Sequence, residues 1–310
     1  MHIGIGFDRD LDVPALLERY PDRRTHLEYA LTTNQRGQAL IEQLRGWGVS
    51  VESAARQSKA YLDIGFAYGG CLASFAQLGF AVTGIEIDEK YGRLGRWNLE
   101  SFGQGIDTRI GDFQAEEVLP AGARFDIITC TDVIEHVADP EASMHKICRL
   151  LKPGGVAYIA YPTKLCISYV RADAHFGLFG LTLLDYFRAR AAHAMYTGRP
   201  EYEVSDFYEP EWYLNTARSA GVSAELVYDS AMQPPDVAGE IAQLQAAYAE
   251  WTRSAAKKLD PLMRHEITRE FALYSARLFQ DYSHHIAQNS VDQFARRWLD
   301  PLTRILIRKP

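Results

Sequence analysis

The chain has only four cysteines in 310 residues, Cys71, Cys130, Cys148 and Cys166, and no two of them form a C-x-x-C pair. This spacing excludes a disulfide framework and a cysteine zinc site, and reads as the reduced, mostly buried thiols of a cytoplasmic protein. Basic charge is also short: 33 Lys and Arg against 40 Asp and Glu leave a formal net charge of −7. No general attraction to nucleic acid or to an anionic membrane surface is therefore expected. Internal repeats and low-complexity tracts are missing. The opening MHIGIGFDRDLD turns acidic before the apolar core of a signal peptide is built. Long apolar runs are absent but for residues 64–85, which carry no charge and have the length of a bilayer span. Gly65, Gly69, Gly70, Gly79 and Gly84 divide that run into a turn, a short helix and a strand, so no membrane span is expected. What remains is an ordinary globular composition, 47% hydrophobic and 24% charged.

Strand and helix signals alternate over residues 61–163. Strands are expected at Ala60–Ile64, 80–87, 108–110, 125–129 and 156–161, with Lys152-Pro153-Gly154-Gly155 as a turn before the fifth. Helices are expected from residue 70, closed by Gly79, after Asp88 as N-cap, and after Asp139-Pro140. Apolar strands spaced by helices imply an α/β fold with a mostly parallel sheet covered on both faces. The pattern resumes with a helix from Pro210 to Gly221, a strand at 224–228 and a last strand in PLTRILIRKP. Six segments result: an N-terminal helical cap (1–59), a core (60–163), an insertion (164–208), a return of the core (209–235), a helical hairpin (236–300) and the last strand (301–310). In the hairpin, Val237, Ile241, Leu244, Tyr248 and Trp251 repeat at helical spacing, as do Met263, Ile267, Phe271, Tyr274 and Leu278. This is read as a private apolar seam, with a homodimer interface or an active-site lid as competing readings.

The first chemical signal is Asp63-Ile-Gly65-Phe-Ala67-Tyr-Gly69-Gly70, set between a strand and a helix, where glycines let the backbone turn sharply toward a ligand. The second is Glu86, 23 residues beyond Asp63 and ending the next strand, where a carboxylate accepts from both ribose hydroxyls. Together they point to a nucleoside cofactor without choosing between a nicotinamide and S-adenosylmethionine.

The choice follows from Gly111-Asp112-Phe113, from Thr131-Asp132-Val-Ile-Glu135-His136-Val-Ala-Asp139-Pro140, and from LLKPGG ahead of the fifth strand. With these the sequence resembles the class I S-adenosylmethionine-dependent methyltransferases of the D-x-G-x-G-x-G and D-V-[IL]-E-H-V type, well over residues 60–163 and loosely over 209–230. The resemblance implies a doubly wound, Rossmann-like, seven-stranded sheet with helical insertions. It implies that Asp63 orders the glycine turn and that Gly65, Ala67 and Gly69 line the methionine part. Glu86 would hold the ribose and Ile87 the adenine; Asp112 and Phe113 would read the adenine edge and face, and Cys130 and Thr131 would touch the cofactor. Ala67 stands where the family has glycine, which a negative φ would tolerate. Arg36 is read as a solvated helix arginine or as a partner for the cofactor carboxylate.

The reaction expected is methyl transfer to a small molecule, most directly a hydroxyl of a sugar, a glycan end or a secondary metabolite. An alcohol must lose its proton during attack, and His136 and His175 are the bases placed for it. A sharper variant is a magnesium site built from Asp132, Glu135, His136 and His175, after the E-x-x-E-H motif of related O-methyltransferases. Two different functions fit the first glycine turn as well: a nicotinamide-dependent oxidoreductase and a cofactor-binding scaffold without catalysis. The insertion at 164–208 carries Tyr169, Phe176, Phe179, Tyr186, Phe187, Tyr196, Tyr202, Phe207 and Tyr208, suited equally to an acceptor pocket and to a satellite core. Its Arg171, Arg188, Arg190 and Arg199 are read as solvated or as phosphate ligands, and His284-His285 as surface or helix-packing histidines.

Overall fold

The computed structural model describes residues 24–52, 59–100, 106–205, 208–229 and 236–310, so residues 1–23 and 53–58 of the expected 1–59 cap lie outside it, as does Phe207. A helix, α1 (Arg24–Gly46), leads into β1 (Ala60–Ile64), α2 (Gly70–Gln77), β2 (Ala81–Glu86), α3 (Glu89–Glu100) and β3 (Asp107–Ile110). Then come β4 (Phe125–Thr131), α4 (Pro140–Leu150) and β5 (Leu151–Pro162), followed by the insertion helices α5 (Ile167–Arg171) and α6 (Tyr186–Thr197). The chain returns through α7 (Pro210–Ser219) and β6 (Ser223–Leu226), leaves again as α8 (Val237–Arg253), α9 (Pro261–Ala287) and α10 (Val291–Trp298), and ends on β7 (Leu302–Arg308).

The seven strands form one sheet in the order β3-β2-β1-β4-β5-β7-β6. All pairs are parallel except those of β7, which runs antiparallel to β5 and β6. Alternation along each strand sorts side chains between two faces. Leu62, Ile64 and Ile128 pack under α4 and α7, whereas Tyr61, Val82 and Ile127 pack under α1 and α2. The expected caps form: Asp139 Oδ1 accepts from Ala142 N at 2.9 Å, Asp88 Oδ1 from Lys90 N at 2.7 Å, and Gly79 closes α2 at φ +83°.

Two expectations change. The Lys152–Gly155 turn is part of β5: between the pairs Phe125–Leu151 and Ile127–Val156 one residue of β4 faces four of β5, and the extra backbone pairs with Lys309, through Gly154 N and Gly155 O. The seam of α8 and α9 is not private. Its buried residues share one core with Ile167, Val170, Phe179, Leu181, Ala192 and Tyr196 of the first insertion. Phe179 lies 5.3 Å from both Trp251 and Phe271, and Trp251 Nε1 donates to Tyr196 OH at 2.6 Å. The two insertions are therefore one satellite unit, in which α10 adds a third helix to the expected hairpin.

Candidate active site

The strand order reverses between β1 and β4, and in doubly wound folds that reversal opens a crevice beyond the carboxyl ends of the strands. Asp63 lies beneath the crevice, 3% exposed. Thr129 donates its hydroxyl to Asp63 Oδ1 at 2.7 Å, and Tyr61 OH lies 2.5 Å from the same Thr129 oxygen. Burial pushes the Asp63 carboxyl up to about 7, with the Thr129 bond opposing and the Glu86 charge adding.

The turn after β1 is set by the backbone. Gly65 sits at φ +77°, and a Cβ there would meet Val133 Cγ2 at 2.2 Å, so neither conformation nor space admits a side chain. Ala67 does not take the negative φ expected of it. It sits at φ +42°, in the left-handed region that disfavours alanine by about 1–2 kcal/mol. Its N–H donates to Glu86 Oε2 at 2.9 Å, which holds it there. Glu86 Oε1 accepts from Asp88 N at 2.9 Å, so two amides orient this buried carboxylate and leave lone pairs for a ribose diol. Beside it Ile87 is 69% exposed, an apolar side chain that an adenine ring would cover.

Asp112 lies exposed at the tip of β3, its Oδ1 accepting from Gln114 N at 2.8 Å. Phe113 differs from expectation: its ring is buried in the core with Lys146 Nζ 5.0 Å from its centroid, and offers no face to a ligand. Cys130 is likewise turned into the core, because alternation along β4 sends it inward and leaves Thr131 half-exposed at the mouth. Arg36, exposed on α1, donates to Thr32 Oγ1 and draws down the carboxyl of Asp132. Asp132 reaches solvent but is walled in on most sides, and this burial outweighs Arg36 and raises its pKa.

Beyond β4 the chain forms a turn, not a helix. Asp132 sits at φ +54°, and His136 N bonds to Val133 O at 2.8 Å. The left-handed residue breaks the helical phase, so the expected quartet resolves to three. Glu135, His136 and His175 bring one ligand atom each within 4.8 Å of one another, and Asp132 is not among them. Glu135 is 1% exposed with neither carboxylate oxygen hydrogen-bonded. Burial first, then the Asp132 charge, pushes it up to about 8, so it carries a proton at neutral pH. The imidazoles of His136 and His175 meet edge to face at 4.9 Å. Burial and His136 push His175 down to about 4. His136 Nδ1 lies 2.7 Å from the carbonyl oxygen of Glu203. A carbonyl only accepts, so Nδ1 carries the hydrogen, and in the neutral imidazole the lone pair is then on Nε2, 3.9 Å from Glu135 Oε1.

Two supports of this group escape a reading of the sequence. Asp173, 6% exposed, accepts from the backbone N–H groups of His175, Phe176 and Leu178 at 3.0, 2.9 and 2.8 Å and so shapes the loop bearing His175. An Asp followed by Gly177 in DAHFG is the signal that could have found it. Ser205 donates through N and Oγ to the Glu135 carbonyl at 2.6 and 2.8 Å. It leaves no signal, because the contact spans 70 residues.

The insertion's aromatics pack together: Phe179 and Tyr196 lie in the satellite core, and half-buried Phe176 and Tyr202, 5.3 Å apart, pack against it, with the Phe176 ring 6.1 Å from that of His175. Phe187 is 78% exposed. Arg188 is engaged by Asp185, Glu266 and Glu270, and Arg171 by Gln243 and Glu240, so neither is poised for a phosphate. His285 bonds Ser290 Oγ at 2.7 Å in a packing role.

Residues 36–224, more than half the chain, match the Methyltransferase domain family. The chain belongs to the S-adenosylmethionine-dependent methyltransferases. This methyltransferase is similar in fold to an S-adenosylmethionine-dependent methyltransferase from Mesorhizobium loti, with a TM-score of 0.50 and 14% identity over 86% of this chain and 96% of that one. In sequence it is similar to the ubiquinone biosynthesis O-methyltransferase of Aromatoleum aromaticum, 34% identical over 176 residues, 56% of this chain and 69% of the relative. It is also similar to the proteins of that name from Azoarcus sp., at 28% identity over 56% of this chain and 67% of the relative, and from Caulobacter vibrioides, at 40% over 32% and 39%. The chain thus spans between about two-fifths and two-thirds of the length of these relatives. Family membership replaces the nicotinamide reading. No described helix of the methyltransferase is long and apolar enough to cross a membrane.

Proposed function

We propose that this methyltransferase O-methylates a small aromatic molecule, with Nε2 of His136 taking the hydroxyl proton. The observation that carries this reading is the fixed tautomer of His136 at the end of β4. Support for an oxygen acceptor comes from relatives named for O-methylation in ubiquinone biosynthesis, and support for a planar acceptor from Phe176 and Tyr202 beside His175. The sugar or glycan acceptor expected from sequence finds no support among the relatives.

S-adenosylmethionine supplies, when bound, a methyl group already electrophilic on its sulfonium sulfur. The chain's part is then placement and proton removal. Glu86 holds the ribose, Ile87 covers the adenine, and Asp63 with Thr129 stiffens the floor of the turn. His136 Nε2 would take the hydroxyl proton as the acceptor oxygen becomes nucleophilic toward that methyl group. The Glu203–Ser205 backbone, bonded to His136 Nδ1 and to the Glu135 carbonyl, holds the base in place for that transfer.

The orphaned Glu135 carboxylate favours a second reading, in which Glu135, His136 and His175 hold a divalent cation. One carboxylate and two imidazoles suit zinc, manganese or iron better than magnesium, which prefers oxygen ligands. Such an ion would lower the pKa of an acceptor hydroxyl.

The test is methyl transfer to a panel of phenols, catechols, sugars and amines, with and without EDTA. Turnover of phenolic hydroxyls is expected. His136→Ala should lower kcat by about 10²–10⁴-fold while S-adenosylmethionine affinity, read by calorimetry, is unchanged. Methylation of amines alone, or full activity in His136→Ala, would overturn the proposal. Loss of turnover in EDTA, restored by manganese or zinc, would select the cation reading.

A further inference from the structure

A cavity of about 410 Å³ lies apart from the cofactor crevice, where the β5–β7–β6 end of the sheet meets the satellite helices α9 and α10. Neither methyl transfer nor cofactor binding uses it. It opens at a seam between two packed units, a common place for small-molecule sites. Leu226 and Leu302 on the sheet side and Pro210 at the start of α7 give it an apolar wall, and Lys164, Glu209, Glu211 and Gln293 add polar groups around it.

Three guanidinium groups line this space, and one of them, Arg297, is drawn to Glu209 at 4.0 Å and Asp281 at 3.8 Å, which leaves two. Arg304 is 8% exposed, and the hydrogen bonds of its side chain leave from Nη1, to both oxygens of Asp300 and to the Leu302 carbonyl. Its Nε–Nη2 edge, the planar fork that fits a carboxylate, has no partner among the described residues. Arg296 lies over the Tyr228 ring at 4.8 Å and has no carboxylate within ion-pair distance among the described residues. By contrast, Arg277 is spent on both oxygens of Glu209. A nine-tenths-buried guanidinium with an idle edge, beside a second one stacked on an aromatic ring, matches a planar anion with an apolar body.

We propose that this seam is a binding site for a small aromatic carboxylate, held between Arg304 and Arg296 with its ring against Leu226 and Leu302. The ligand touches β6 and β7 on one side and α10 on the other, so it fastens the satellite unit to the core.

The test uses 2-naphthoate as probe and 2-naphthamide as its uncharged control, on the full chain, by calorimetry and thermal shift. Naphthoate is expected to bind and raise Tm, with the amide at least tenfold weaker. Arg296→Gln should weaken naphthoate at least tenfold and leave S-adenosylmethionine affinity unchanged. Leu226→Trp, which fills the cavity, should abolish naphthoate binding. Failure of naphthoate to bind, equal binding of the amide, or unchanged affinity in Arg296→Gln would each overturn the proposal. These readouts are independent of methyl transfer, so they stand or fall apart from the proposed activity.

Discussion

At the scale of single residues, the site is a set of carboxylates put to different uses by burial. Asp63 holds a proton up to about pH 7 in the fold against 3.8 ordinarily. The folded state therefore binds the proton more tightly than the unfolded chain. The stability this contributes is complete below about pH 4 and is lost as pH rises toward 7, at up to about 1.4 kcal/mol per pH unit. Melting curves of the cofactor-free protein from pH 4 to 8 should show this decline, and Asp63→Asn should make it shallower, with Glu135, raised to about 8, supplying the rest. An identical slope in the variant would remove Asp63 from the account. Asp173 shows another use: its two oxygens serve three amide donors, two of which approach Oδ1 and one Oδ2. Asp173→Asn replaces one acceptor oxygen by a donor. It should reduce kcat/KM for the acceptor about tenfold through a displaced His175, with cofactor affinity unchanged. A loss of cofactor affinity instead would mean that the loop supports the whole crevice.

At the scale of elements, α1 is positioned by a contact too close for side chains. A Cβ on Gly37 would meet Gly70 O at 2.3 Å, and one on Gly70 would meet Thr33 O at 2.0 Å. The two helices cross backbone to backbone, which places Arg36 within electrostatic reach of Asp132 at the mouth and lets Asn98 bond both Asn34 and Tyr68 O. Gly37→Val should cost about 1–3 kcal/mol by overpacking and weaken cofactor binding at least tenfold, because α1 must lift. Unchanged cofactor affinity in this variant would detach α1 from the site. The elements of the core were legible because each strand tip carries its own signal: a glycine turn after Ile64, Glu86, Gly111-Asp112, Thr131-Asp132. The orientation of side chains within them was less so. Phe113 and Cys130 follow the alternation of burial rather than the motif, and Ala67 takes a left-handed conformation that only the Glu86 carboxylate, 19 residues away, explains.

At the scale of the whole molecule, periodicity along α8 and α9 disclosed an apolar stripe but not what it faces. A helix pattern records that a face is buried, and the partner is a tertiary fact. Phe179 belongs to the first insertion yet sits among Tyr248, Trp251 and Phe271 of the second, with ring centroids at 5.9, 5.3 and 5.3 Å. Two insertions separated in sequence by α7 and β6 thus depend on one another for burial, and neither has a core of its own. Phe179→Ala should cost about 3–5 kcal/mol, confined to the satellite because the sheet buries its two faces against other helices. Amide exchange in the variant should quicken together in α5, α6, α8 and α9, while β1, β4 and β5 keep their protection and cofactor affinity holds. Because the satellite carries His175, acceptor turnover should fall with the loosened exchange even though Phe179 touches no reacting atom. Fast exchange in α5 and α6 alone, with α8 and α9 unaffected, would restore two independent insertions and separate the acceptor side of the site from the C-terminal helices.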